Sequence, residues 1–245
     1  MSDKSRNAVD DGFGGTGNSM CSTCHIKNKS VLRNSSEQIL DTISSAKKKL
    51  FFSKGQLLVI EENASHKIYC INKGKIKIYK TDSNGNQVII RIAKPGDIIG
   101  GEMLMSNDIY DISAMAVEDS IACCINKDVY LDVFKSESNL AVELIKYYET
   151  ELHRAGIKIL KLSRLQVQGK VADALLALYK TYGTTEDKNS IRISVDRQDI
   201  ANMAGTTKEQ VSKALSDLSI QGIIKAKGKR IEFLNLDALR KMADV

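Results

Sequence analysis

The residues with the most recognisable chemistry lie between Thr206 and Lys213. This short segment carries hydroxyl, amide, carboxylate and ammonium side chains. Groups of these types can hydrogen-bond to base edges in the major groove of DNA or to phosphate oxygens. The candidate DNA contacts here are Thr206, Thr207, Lys208, Glu209, Gln210, Ser212 and Lys213. The alternative interpretation is an ordinary helical hairpin whose polar face is solvated.

Thiols offer a second candidate chemistry. Cys21 and Cys24 form a C-x-x-C pair, and Cys123 follows much later in the chain. Thiolates select iron–sulfur clusters or zinc over harder metals. An iron–sulfur cluster, zinc or thiol redox chemistry, and no metal at all stay open, because one C-x-x-C is a weak signal. Cys124 should face the opposite side of a strand from Cys123, and Cys70 fits a core thiol.

Two short helices joined by a tight turn must position the polar segment. Ile200, Ala201 and Met203–Ala204 give the first helix an apolar face, and Gly205 breaks the pattern. The second helix has one apolar stripe at helical spacing, formed by Val211, Ala214, Leu215 and Leu218. A DNA-binding helix-turn-helix requires this layout, with the first helix bracing the second.

A basic hairpin follows directly. The sequence KAKGKRIEFLN, residues 225–235, predicts two strands that turn at Gly228. Its tip carries Lys225, Lys227, Lys229 and Arg230. Such a wing can contact backbone phosphates, and Lys227 and Lys229 are the candidates for that role.

The segment from Leu50 to Ile125 predicts many short antiparallel strands. Ile76 and Ile78 alternate with lysines, and turn signals at Asn84–Gly85 and Pro95–Gly96–Asp97 separate the runs. Short strands with regular turns favour a small barrel or jelly roll.

One long helix is predicted over residues 139–163. Apolar residues recur there every three or four positions over three heptads, at Ala141, Ile145, Tyr148, Leu152, Ala155, Ile159 and Leu162. A repeat of 3.5 residues indicates a seam that packs on a partner helix. We therefore predict a homodimer with Ile145, Tyr148, Leu152 and Ile159 in the seam; packing on the chain's own β-domain is the alternative.

Composition limits the class of protein. The chain has 245 residues and a net charge of +6, which suits two domains and contact with a polyanion. From residue 164 to the C-terminus, 14 Lys and Arg stand against 10 Asp and Glu. No apolar run is long enough to span a membrane, and no secretion signal is evident. Five cysteines in such a chain argue against a disulfide scaffold, so we expect a cytoplasmic protein.

Together these motifs resemble the Crp–Fnr superfamily of bacterial transcription regulators, and the fumarate–nitrate reduction regulator branch in particular. The resemblance covers about 220 residues, from Cys21 to the C-terminus. The branch carries Glu-x-x-Ser-Arg on its recognition helix, where this chain has Glu209, Ser212 and Lys213. A bidentate guanidinium is thus replaced by a single ammonium, so the operator sequence stays open.

The resemblance implies an α+β fold and a mode of action. We expect an N-terminal antiparallel β-roll like that of cyclic-nucleotide-binding domains, a long dimerisation helix and a C-terminal winged helix-turn-helix. The expected boundaries are 1–20 for a disordered tail, 21–135 for the effector-sensing β-roll, 136–163 for the dimerisation helix and 164–245 for the winged helix-turn-helix. The implied partners are double-stranded DNA with a palindromic operator, a second copy of the chain, and RNA polymerase, which an activator would contact.

The resemblance also suggests what the β-roll could sense. Cyclic-nucleotide members bind the phosphate with an Arg-Ser pair, but Asp111–Ile112 precede Ser113 here. We therefore do not expect cAMP; another small molecule could lie near Gly100, Gly101, Glu102 and Ser113.

The oxygen-sensing branch instead holds a [4Fe–4S] cluster. Three of its cysteines are spaced C-x2-C-x5-C near the N-terminus, and one lies in the last strands of the roll. Cys21, Cys24 and Cys123 match three of the four, and Ser30 stands in the remaining place. A fourth ligand would have to be Cys124, His25 or a carboxylate.

A cupin-type metal enzyme is the alternative from a different class. It would need two or three histidines and a carboxylate converging inside the roll. The histidines are His25, His66 and His153, and only His66 falls within the roll segment. Each of the three histidines fits a surface position. This argues against a cupin-type enzyme and also against haem binding. We expect no enzymatic activity.

Overall fold

The described chain begins with the segment that carries the first two cysteines. The computed structural model describes residues 20–64, 66–101, 109–184 and 194–244. The predicted tail before Met20 and the candidate effector residue Glu102 lie outside the described residues. A single 3-10 turn, Lys27–Lys29, is followed by helix α1, Glu37–Ala46. Ser36 caps α1 by accepting a hydrogen bond from the Ile39 N–H at 3.4 Å.

In the described part of the following segment the chain forms eight short strands, as the alternating pattern predicts. The strands are β1 Lys48–Phe52, β2 Leu57–Val59, β3 Lys67–Lys73, β4 Ile76–Thr81, β5 Gln87–Ala93, β6 Ile98–Ile99, β7 Ser113–Ala116 and β8 Ser120–Asn126.

The strands form two four-stranded antiparallel sheets. Their orders are β1-β8-β3-β6 and β2-β7-β4-β5, so chain neighbours often lie in different sheets, as in a roll. Side chains alternate between the two faces of each strand. The first sheet therefore contributes to two cores. Ile71 and Cys124 face the inner core of the roll, while Ile68 and Ile125 face an outer core shared with α1.

Two helices follow the roll, and a third begins the C-terminal region. Helix α2 is Lys127–Ser136, α3 is Ser138–Arg164 and α4 is Val167–Tyr182. The single long helix predicted over residues 139–163 is confirmed. Its first turn is anchored in the outer core by Leu140, which is 1% exposed.

The C-terminal region has its own core. Helix α5 is Arg197–Ala204, α6 is Lys208–Ile220, β9 is Ile224–Lys227, β10 is Arg230–Phe233 and α7 is Leu236–Met242. The predicted apolar stripes are confirmed: Ile200 on α5 and Val211 on α6 are fully buried against Leu175 of α4.

Candidate nucleic-acid interface and thiol site

Helix α6 presents a polar face to solvent. Thr207 caps it by accepting a hydrogen bond from the Gln210 N–H at 3.3 Å, and a capped N-terminus suits contacts with an anionic backbone. Thr206 is half-buried and donates a hydrogen bond to the Gln210 side-chain oxygen. The candidate contacts Thr207, Lys208, Glu209, Gln210, Ser212 and Lys213 are all exposed.

Gly205 sets the angle between α5 and α6. It has φ 58° and ψ 46°, in the left-handed region, which glycine adopts without steric cost. The Thr206 N–H bonds to the Ala201 carbonyl at 3.1 Å, so the turn is closed by backbone groups. The buried stripe of α6 is thereby turned inward and its polar face outward.

Glu209 is ionised at neutral pH. Hydrogen bonds from its own backbone N–H and from Thr207 lower the pKa of its carboxyl group. A carboxylate accepts only, so Glu209 can pair with a donor such as cytosine N4.

The wing is attached to the start of α5. The Val195 N–H donates to the Lys229 carbonyl at 3.0 Å, and Arg197 donates to the Gly228 carbonyl. Lys229 also forms an ion pair with Asp196 at 2.6 Å, which lowers the pKa of Asp196. Sequence analysis missed this pair. Of the two predicted phosphate contacts, Lys227 is exposed, whereas the ammonium of Lys229 is paired with the Asp196 carboxylate.

The heptad residues of α3 divide into two groups. Ile145, Leu152 and Ile159, seven residues apart, are 67%, 75% and 68% exposed. Tyr148 is half-buried and its hydroxyl lies against Gly101 of the roll. The first group thus forms an unpaired apolar row, whereas Tyr148 already packs on its own chain.

Helix α3 is also held against β5 by polar contacts. Arg91 of β5 pairs with Glu151 at 3.0 Å and donates to the Tyr147 hydroxyl at 3.0 Å. Lys158 donates to the Ile89 carbonyl at 2.5 Å, and burial lowers the pKa of Lys158. A groove of about 1170 Å³ lies between α3 and β5, beside the exposed row.

Of the predicted effector residues, the structure describes Gly100, Gly101 and Ser113. An added Cβ at Gly100 would lie 2.8 Å from the Lys67 carbonyl and 3.1 Å from Tyr110. Ser113 is buried and accepts a hydrogen bond from the Glu61 N–H at 3.1 Å. Its hydroxyl is thus engaged in the roll itself.

The cysteine loop, residues 21–24, lies over the outer face of the first sheet. The Lys47 ammonium donates to Cys21 Sγ at 3.1 Å, and the Asn72 amide donates to Cys24 Sγ at 3.6 Å. Lys47 directly precedes β1, and Asn72 lies in β3. The loop therefore spans the two strands that flank β8.

Cys123 lies on β8 beneath this loop, as the resemblance implies. Burial raises the pKa of the Cys123 thiol, while Lys47 opposes that shift. Cys124 belongs to the inner core, so its predicted opposite orientation is confirmed. Cys70, interpreted from sequence as a core thiol, is paired with Cys123 across the β3–β8 ladder. Burial and then the nearby Cys123, Cys24 and Cys21 thiols raise the pKa of Cys70.

The cluster that the resemblance implies would need donor side chains at the cysteine loop. All five cysteines are free thiols, and the donors gathered at the loop are the soft thiols that iron–sulfur clusters use. Among the described residues, no three His, Cys, Asp or Glu side chains converge closely enough for a single metal ion. Ser30 is committed to the backbone, since its hydroxyl donates to the Lys27 carbonyl at 2.8 Å.

A β-roll joined by a long helix to a winged helix-turn-helix defines a DNA-binding transcription regulator with a sensing domain. A Crp-like helix-turn-helix domain matches residues 169–242, and a cyclic nucleotide-binding domain matches residues 49–137. The chain belongs to the Crp–Fnr superfamily. These proteins are regulators and not enzymes, so the cupin-type alternative is set aside.

Relatives and solved structures agree with this assignment. The anaerobic regulatory protein of Pasteurella multocida is 27% identical over 225 residues, covering 91% of this chain and 82% of its own. The fumarate and nitrate reduction regulatory protein of Escherichia coli is 26% identical, covering 91% and 90%. The structure of FixK2 from Bradyrhizobium japonicum has a TM-score of 0.70 at 24% identity, covering 81% and 98%; this likeness concerns the fold.

No helix in the described ranges combines the length and apolar character needed to cross a bilayer.

Proposed function

We propose that the protein is a cytoplasmic homodimer that binds a palindromic operator and changes its DNA affinity with the redox state of its thiols. Its class as a DNA-binding regulator rests on the family; the signal, the symmetry and the site residues are the proposal. The observation that carries it is the docking of the cysteine loop, through Lys47 and Asn72, onto the strands around Cys123.

The loop is connected to the helix that would form the dimer. Cys21 and Leu140 belong to the same outer core. Beyond the loop, Arg33 pairs with Glu143, Asn34 donates to Glu143 at 3.2 Å, and the Ser36 N–H donates to Glu137 at 2.9 Å. A change in the loop can thus reach the start of α3 through packed and hydrogen-bonded groups.

The apolar row on α3 supports the homodimer. A second copy of the same helix, related by two-fold symmetry, would cover Ile145, Leu152 and Ile159 with their own counterparts. The two α6 helices would then lie in successive major grooves, about one DNA turn apart. RNA polymerase is the expected further partner at the promoter.

Thiolate ligation of a cluster at the loop would supply a centre that oxidants can dismantle. The chain's own residues do the rest: the cysteines hold the loop on the sheet, and the outer core transmits its position to α3. cAMP remains an unexpected effector, because Asp111–Ile112 precede Ser113 where cyclic-nucleotide members carry the Arg of an Arg-Ser pair.

Selection of binding sites from random duplexes under nitrogen tests the proposal. The expected site is a palindrome whose half-sites are about 10 base pairs apart, with affinity that falls after exposure to air. Binding as a monomer to an asymmetric site would exclude the homodimer, and equal affinity in both atmospheres would exclude redox sensing.

A further inference from the structure

Cys70 is a thiol that neither the motif nor the proposed function uses. It lies directly opposite Cys123 in the antiparallel β3–β8 ladder. Directly opposed residues share a face, with Cβ atoms about 4.5–5.5 Å apart. Both therefore point to the outer face, on the same side as Ile68 and Ile125 of the outer core.

The cysteine loop covers this pair. Asn72, which holds Cys24, is two residues beyond Cys70 on β3. Lys47, which holds Cys21, immediately precedes β1 on the other side of β8. The two anchoring contacts therefore lie on either side of β8, and four thiols are gathered at one place on the sheet.

The local charge favours an anionic centre. Lys47 is only 5% exposed. Its ammonium donates to Cys21 Sγ. Metal binding removes one proton from each ligating thiol and leaves thiolates, so a buried cation beside these sulfurs offsets the charge that ligation creates.

We propose that one iron–sulfur cluster binds to a four-thiolate centre made of Cys21, Cys24, Cys70 and Cys123. Cys70 supplies the ligand that Ser30 does not. The inference rests on the proposed redox function and adds to it the identity of the fourth ligand.

Two of the other candidates for the fourth ligand, Cys124 and His25, are poorly placed. Cys124 is packed in the inner core, on the opposite face of β8. His25 is exposed, and the Ser30 hydroxyl is bonded to Lys27 and accepts from the Leu32 N–H at 3.2 Å. Cys70 alone of these shares a face with Cys123.

A cluster requires less close convergence of its thiolates than one zinc ion does. A single zinc draws its sulfurs to about 2.3 Å from one centre, and the described side chains do not converge in that way. A cluster distributes its irons over a larger body, so its thiolates stand further apart.

Cys70→Ser tests the ligand, with Cys124→Ser as the matched control. Both remove a thiol from neighbouring positions of the same ladder, but from opposite faces. Full-length proteins are purified under nitrogen and reconstituted with ferrous and ferric iron and sulfide. Iron, sulfide and zinc per chain are measured together with the visible absorbance, and far-UV circular dichroism confirms that each variant is folded.

We expect wild type and Cys124→Ser to hold about four irons per chain with a broad absorbance near 400 nm. Cys70→Ser should retain less than half of the iron or lose it within minutes in air. Full, equally air-stable iron in folded Cys70→Ser would overturn the assignment of Cys70 while leaving the redox function standing.

Two further outcomes distinguish the role of Cys70 as a ligand from the identity of the metal. One zinc per chain that is lost in Cys70→Ser and kept in Cys124→Ser would support Cys70 as a ligand and overturn the iron–sulfur assignment. Absence of both metals from reconstituted wild type would overturn the four-thiolate centre and the cluster together.

Discussion

Glu209 is a residue whose role can be tested without disturbing the fold. It is exposed and ionised at the N-terminal turn of α6, where a carboxylate can accept a hydrogen bond from cytosine. Glu209→Gln should relax base preference at one position of each half-site and weaken binding there by about tenfold to a hundredfold. Competition titrations with single-base operator variants measure this. An unchanged preference profile would remove Glu209 from the contact set.

The wing lysines should contribute differently. Lys227→Ala should weaken binding to all sequences alike and lower the salt slope by about one phosphate contact per wing. Lys241→Ala, on α7, is the charge-matched control. Titrations at several salt concentrations distinguish the two, and equal slopes for wild type and Lys227→Ala would place Lys227 away from DNA.

A substitution at Asp196 should change DNA affinity in the opposite direction. Its carboxylate neutralises Lys229 at 2.6 Å. Asp196→Asn should release that ammonium for a phosphate, raising affinity for all sequences and steepening the salt slope. If affinity instead fell in folded protein, the pair would be needed to hold the wing in position.

At the scale of elements, the turn of the helix-turn-helix depends on Gly205. Gly205→Ala would place a Cβ in the left-handed region, at a cost of about 1–2 kcal/mol. Gly156 in α3 is the matched control, since nothing lies within 4 Å of its added Cβ and Gly156→Ala should stabilise a helix interior by about 0.5–1 kcal/mol. Chemical denaturation followed by circular dichroism should show opposite signs; the same sign for both would contradict the strain argument.

The apolar row on α3 can be tested in the same way. Leu152→Glu would oppose two carboxylates across the proposed two-fold axis, and sedimentation should show monomers that bind the palindrome weakly. Ile220→Glu is the control, since Ile220 is an exposed apolar residue at the end of α6. A dimeric Leu152→Glu protein would exclude this seam.

At the scale of the whole molecule, signalling depends on contacts between the N-terminal segment and α3. Glu143 is buried and joins Arg33 and Asn34 to that helix. Glu143→Gln should leave the metal content unchanged while reducing the ratio of DNA affinities between metal-loaded and metal-free protein, a coupling that is typically about 5-fold to 150-fold. Glu149→Gln, an exposed change on the same helix, should preserve the ratio. An undiminished ratio in Glu143→Gln would place the coupling elsewhere.

Local patterns were sufficient for much of this molecule. Apolar periodicity determines α3, the buried stripes of α5 and α6, and the alternating strands β4 and β5, because these signals depend only on which face of an element is buried. The turn at Gly205 and the wing turn at Gly228 follow from the conformational freedom of glycine. The polar face of α6 was therefore predictable residue by residue.

Relations between distant segments were decided only by the tertiary structure. The pairing of Lys229 with Asp196 depends on how the wing docks on α5. The pairing of Cys70 with Cys123 depends on β3 and β8 becoming neighbours, although four strands lie between them in the chain. Strand order and register arise from the packing of whole sheets and leave no local pattern. A sequence motif could thus identify Cys21, Cys24 and Cys123, whereas the place of Cys70 beside them required the folded roll.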